Sequence, residues 1–244
     1  MYGVLAHLAR ARHWQCRGER FESAILHMKA ILRIFQGVVD QPYEQKLTVL
    51  YKQFYRMAKE LLYGGYFLIE GKTHIYLDDI EFYYHEEEEG GLKDPIMYHT
   101  NNHEVKEVPY FEIGRLNLHT SGIDVTFENE EKRYRASFLI RGFHVDDEEY
   151  DPHSTHIYDK MLYMGVPMGK AIEIEWISKR LHGYESFEPK GEPRQNVAEY
   201  KYEDGKYIKI ERGDEVFNKD LHFHYSKLDY KKCLRPWRFR KNNL

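Results

Sequence analysis

A chain of 244 residues with 42% apolar and 31% charged side chains has enough apolar surface to fill a core, which excludes a disordered, fully solvated polymer. The net charge of −4 excludes a uniformly basic coat, and two distant cysteines, Cys16 and Cys233, exclude a disulfide framework or a cysteine metal cluster. No apolar run is long enough to span a membrane, and charged residues interrupt the segment 1–15 too early for a signal sequence, so a reducing, cytoplasmic setting is expected.

In chain order, helical periodicity comes first. Ile25, Met28, Ile31, Leu32 and Phe35 recur at three- and four-residue steps, and Leu47, Leu50, Tyr51, Phe54, Met57, Ala58, Leu61 and Leu62 continue the pattern after a break at Gly37 and Asp40-Gln41-Pro42. The spacing predicts an antiparallel helical pair over about 21–62, stopped by Gly64-Gly65 and covering one side of a sheet. The pattern then changes to β-branched and aromatic runs at 66–69, 74–77 and 80–84, with a turn at Gly71-Lys72. Further strands are expected at 110–113, 123–127, 134–140, 171–177 and 207–210, with a short helix at 156–164. Pro189, Gly191 and Pro193 predict a loop over 187–196, and Glu86–Glu89 reads as a solvated turn before Gly90-Gly91. The whole chain, 1–244, is expected to form a single α+β domain, helical at 21–62 and β-rich over 66–240.

Charge is unevenly placed. Residues 227–244 carry seven basic side chains against one acid, and residues 1–36 carry six against two, which leaves the middle of the chain strongly acidic. Lys231, Lys232, Arg235 and Arg238, interleaved with Trp237 and Phe239, form a candidate phosphate-binding stretch; the same aromatics also fit a strand docked on the core.

The chemistry concentrates in Ile80-Glu81-Phe82-Tyr83. On a strand, Glu81 and Tyr83 share one face and Ile80 and Phe82 the other. If the apolar face packs on the helices, a carboxylate and a phenol are left together beside aromatic rings, where lost hydration suits a general base; an ordinary edge strand with a surface Glu gives the same alternation. His99 follows eighteen residues later, in Asp94-Pro95-Ile96-Met97-Tyr98-His99. Then come Ser121-Gly122-Ile123-Asp124 and an apolar strand ending in Arg141, Phe138-Leu139-Ile140-Arg141-Gly142. An arginine there is expected to meet a carboxylate or a phosphate.

This order resembles the alkyladenine (3-methyladenine) DNA glycosylases over about residues 66–143. In that family a strand ends in Glu-Ala-Tyr, a histidine follows, and a later strand ends in Leu-(Ile/Leu)-Arg-Ala. The resemblance implies a mainly antiparallel curved sheet. It places Glu81 at the water-activating catalytic position, Tyr83 and His99 at the walls of a pocket for a flipped base, and Arg141 at the supporting position. Tyr110 is a further candidate for the aromatic cage around a cationic base. The chain departs from the family pattern in several places. The Glu-to-His spacing is lengthened by Glu86–Gly91, Val108-Pro109-Tyr110-Phe111 replaces a Pro-Gly turn, and Ser121-Gly122 replaces Tyr-Gly. Asp124 and Glu128 lie near the place of an asparagine of the base pocket.

The implied activity is a monofunctional DNA N-glycosylase that removes alkylated purines by water attack, needing no metal or cofactor, with damaged DNA as partner. The alternative is a non-enzymatic nucleotide- or nucleic-acid-binding protein on the same scaffold. A third reading, a metal-dependent hydrolase, rests on His222 and His224 at two-residue spacing.

Overall fold

A computed structural model describes residues 26–94, 97, 99–100, 108–162, 172–192, 194, 199–203, 206–210 and 235–242. Helix α1 spans Leu26–Leu32 and α2 spans Tyr43–Tyr63. Each carries the predicted apolar stripe inward: Met28 and Leu32 of α1 and Leu50, Phe54, Ala58 and Leu61 of α2 are buried.

The expected glycine stop acts differently from a left-handed cap. Gly64 is in the right-handed region, and its N–H still bonds to the Glu60 carbonyl at 2.9 Å. Gly65 already belongs to β1, where a Cβ would lie 2.4 Å from the Ile177 carbonyl oxygen. Close backbone approach requires glycine there. At Gly37, φ is +68° and a Cβ would sit 2.6 Å from Tyr134 Cε1. Gly37→Ala therefore combines backbone strain with overpacking, and a loss of about 1–3 kcal/mol is expected in urea denaturation.

The strands are β1 (Gly65–Ile69), β2 (Thr73–Glu86), β3 (Leu116–His119), β4 (Gly122–Thr126), β5 (Tyr134–Val145), β6 (Ile174–Ser178), β7 (Lys190–Glu192), β8 (Glu199–Glu203), β9 (Lys206–Ile210) and β10 (Arg238–Arg240). Helix α3 covers Ile157–Leu162. The main sheet runs β3-β4-β5-β2-β1-β6, with β10 joining β2 to β7; β8 and β9 form a separate hairpin. All of these pairings are antiparallel, and the main sheet is a curled half-barrel, so the α+β class with a curved antiparallel sheet is observed. Strand β2 is the spine, a single strand where two runs were expected. It pairs with β5 over most of its length, while its other edge meets β1 near Ile75 and β10 near Glu81. Register shifts between Leu77 and Ile80 mark the irregularity where a strand bends.

The apolar face of the sheet packs on α2. Phe82 stacks on Phe54 at 4.5 Å between ring centroids, and Trp237 meets Phe54 edge-on at 5.3 Å. Phe239 lies 5.7 Å from Tyr51. The docked-strand alternative for the basic stretch is thus what forms.

Three local expectations are corrected. Residues 110–113 form no strand; the Phe111 N–H donates to the Glu128 carboxylate at 2.8 Å instead of to a ladder. The loop expected at 187–196 contains β7, whose partner β10 lies far away in sequence. The acidic run is only half solvated. Glu88 and Glu89 are exposed, but Glu86 is buried and accepts from Lys46 Nζ at 2.5 Å and the Leu92 N–H at 2.8 Å.

Candidate functional site

The second face of the sheet is polar and also buried. Directly opposed residues on antiparallel strands present side chains to the same face. The register runs Arg238–Glu81–Leu139–Asp124–Asn117 across β10, β2, β5, β4 and β3. Glu81 and Asp124 are therefore separated by one intervening strand, β5, roughly 10 Å between backbones. Tyr83 and Arg141, each two residues along from this row on β2 and β5, share the face.

Glu81 is completely buried. The Tyr83 hydroxyl donates to its Oε1 at 2.5 Å, and Arg141 Nε donates to its Oε2 at 3.2 Å. Two donors, one of them charged, fix the plane of this carboxylate. Burial, followed by the charge of Glu81, raises the Tyr83 hydroxyl well above its usual range, so Tyr83 is a neutral donor at any physiological pH. The Arg194 guanidinium lies 5.1 Å from the centroid of the Tyr83 ring.

His99 is buried on the same side, between two carboxylates. Its Nδ1 contacts Glu128 Oε1, and its Nε2 is 3.9 Å from Asp124 Oδ2. Neither contact has hydrogen-bond geometry; both ring nitrogens, Asp124 Oδ1 and Glu128 Oε1 are buried without a hydrogen-bond partner. His119 Nε2 lies 3.2 Å from Asp124 Oδ1. The Phe111 ring sits 5.4 Å from the His99 ring. These histidine nitrogens and carboxylate oxygens face one another across ion-pair contacts rather than hydrogen bonds, so His99, His119, Asp124 and Glu128 form one buried polar cluster.

Tyr110 stands one step away from this group. Arg135 covers its ring at 4.1 Å, and the same guanidinium donates to Glu87 and lies 3.4 Å from Glu128 Oε2. Burial raises the Tyr110 hydroxyl, against the opposing charge of Arg135. Tyr110 is thus stacked on a cation within the protein, and Phe111 is the aromatic that meets His99.

Two arginines of the expected phosphate-binding stretch are engaged in ion pairs within the fold. Arg235 is buried, with Nη1 3.3 Å from Asp94 Oδ2 and Nη2 donating to the Lys93 carbonyl at 2.6 Å. Arg238 is buried and donates through Nε and Nη2 to Asp79. In a low-dielectric interior such charges pair with a carboxylate or do not form, which leaves them no solvent face to offer a phosphate. Lys231, Lys232, His222 and His224 lie outside the described residues.

No family model, curated protein or solved structure matches the chain. The reading of the site therefore rests on its own geometry. Sequence reasoning missed Arg194 and Phe111, and it noted Asp124 and Glu128 only as neighbours of the expected pocket. A feature that pointed to Asp124 and Glu128 was present: an acid stands in the middle of the otherwise uncharged β4 and another follows two residues after its end, where a strand beside a core has no need of them. Among the described residues, no helix is long and apolar enough to cross a membrane.

Proposed function

We propose that the polar face around Glu81 binds a purine base and activates water against its N-glycosidic bond, as in the alkyladenine DNA glycosylases, with alkylated DNA as substrate. The observation that carries this reading is the direct Glu81–Arg141 contact at 3.2 Å, between residues sixty apart in sequence, with Tyr83 on the same carboxylate. A carboxylate accepts at about four lone-pair positions, so orientation by Tyr83 and Arg141 is compatible with contact to a water. Asp124 and Glu128 add negative charge near His99, which suits a base made cationic by alkylation and disfavours a neutral one. Such a base is also a good leaving group, so one carboxylate and one water suffice for the reaction.

The test is incubation of the protein with duplex DNA carrying an alkylated purine, followed by chromatography of released free base. Release of the modified base, and no release from unmodified duplex, is the expected result. Absence of release with retained DNA binding would leave the alternative, a non-enzymatic nucleic-acid-binding protein.

A further inference from the structure

We propose that Asp151, His153 and His156 form a binding site for a late first-row divalent cation of the zinc class, separate from the Glu81 face. The three residues come from one short segment, Asp-Pro-His-Ser-Thr-His, which the fold pins at several points. The Asp151 backbone forms a bridge with Phe143 of β5, through N–H···O contacts of 2.7 and 3.1 Å. Ser154 Oγ donates to the Ser121 carbonyl at 2.6 Å, and α3 begins at Ile157. The donor atoms are thus carried by backbone that is held on both sides.

Their geometry is convergent. His153 Nδ1 is 3.0 Å from Asp151 Oδ1, and His156 Nδ1 is 2.8 Å from Asp151 Oδ2. The two imidazole rings lie 4.6 Å apart between centroids. One ligand atom from each residue falls within 4.8 Å of the others, and among the described residues no other group of three His, Cys, Asp or Glu does so. Bonds of about 2.0–2.2 Å in a tetrahedral site put ligand atoms ~3.3 Å apart, so small side-chain rotations suffice to seat an ion.

The donor set selects the ion. Two imidazole nitrogens and one carboxylate oxygen suit zinc, cobalt, nickel or copper; calcium and magnesium require mostly oxygen. The cluster borders a groove of about 340 Å³ that His144 and Glu148 also line. The His153 and His156 side chains are more than half exposed, so coordination positions remain open to water or to a ligand oxygen. A helix-capping role accounts for only part of this arrangement. The His153 N–H donates to Asp151 Oδ1 at 2.9 Å, which is an Asx turn, but a turn does not need both imidazoles aimed at the same carboxylate.

The test is titration of the full chain, stripped with chelator, with zinc by calorimetry and with cobalt by visible absorption. One ion per chain, with nitrogen- and oxygen-type cobalt bands, is the expected result. His153→Ala combined with His156→Ala should weaken binding at least about tenfold while circular dichroism stays unchanged, because both side chains are largely exposed. His222→Ala combined with His224→Ala should leave the affinity as it was. Failure of the wild-type chain to bind either ion, or binding that survives loss of His153 and His156, would overturn the proposal.

Discussion

Glu81→Gln is expected to lower release of alkylated purine by about 10²–10⁴-fold, the range of a positioned general base. The substitution keeps the shape of the side chain and retains an oxygen to accept from Tyr83, which donates to Glu81 Oε1 at 2.5 Å. It removes the negative charge that faces Arg141 Nε at 3.2 Å. The variant should therefore fold, with a stability loss on the order of 1–3 kcal/mol for the lost charge-assisted bond. Single-turnover release and urea denaturation separate the two effects. A comparable loss of release in Tyr83→Phe would place part of the effect in the orientation of the carboxylate, because that change removes a donor and leaves the charge. Release undiminished in Glu81→Gln would remove Glu81 from the chemistry and return the face to a binding role.

The strand grammar of the site was legible because it is local. The alternation Ile80-Glu81-Phe82-Tyr83 assigned the two faces of β2, and the contacts of Phe82 with Phe54 and of Tyr83 with Glu81 follow that assignment. What periodicity did not carry is the burial of the polar face. A strand with a charged face reads as half-exposed, yet Glu81 and Asp124 are buried, Glu81 against Arg141 sixty residues on and Asp124 against His99 and His119. Arg194 and Asp94 are a hundred residues apart, and no pattern within either segment announces the pair. The same reason explains Glu86. Within its run it reads as solvated, and Lys46, forty residues earlier, supplies the cation that pairs with its buried carboxylate. Strand β7 was hidden differently. Proline and glycine on three sides of Lys190-Gly191-Glu192 signal a loop, and the three-residue pairing with β10 that overrides them is purely tertiary.

Asp94 is the position where a single change is expected to do most damage to the fold. It is fully buried and accepts from Arg194 Nη1 at 2.6 Å and Nη2 at 3.4 Å, while Arg235 Nη1 lies 3.3 Å away. Its own N–H donates to His85 Nδ1 at 3.0 Å, which keeps the residue tied to β2. Burial, the largest influence, would lower the Arg194 guanidinium, but the Asp94 charge, Tyr83 and the hydrogen bond to Asp94 together outweigh it, and the net direction is upward. Asp94→Ala takes away the carboxylate that two buried guanidiniums share, and removal of one partner from a buried ion pair costs about 3–5 kcal/mol. Against a total stability of about 5–15 kcal/mol, that is a large fraction. The expected observation is a fall in the urea midpoint with little change in slope. Glu88→Ala provides the contrast: its pair with Arg133 is half exposed on both sides, and its loss should stay within about 1 kcal/mol. Equal midpoints for the two variants would show that the Asp94 contacts do not hold the fold. Asp94→Asn, which keeps the volume and one acceptor oxygen, should fall between them and isolate the charge. The consequence reaches the site as well, because Arg194 lies over the Tyr83 ring and both Arg194 and Arg235 lie over Trp237. A chain that loosens at Asp94 loosens the cover of Glu81, so base release should fall in Asp94→Asn even at temperatures where the variant remains folded.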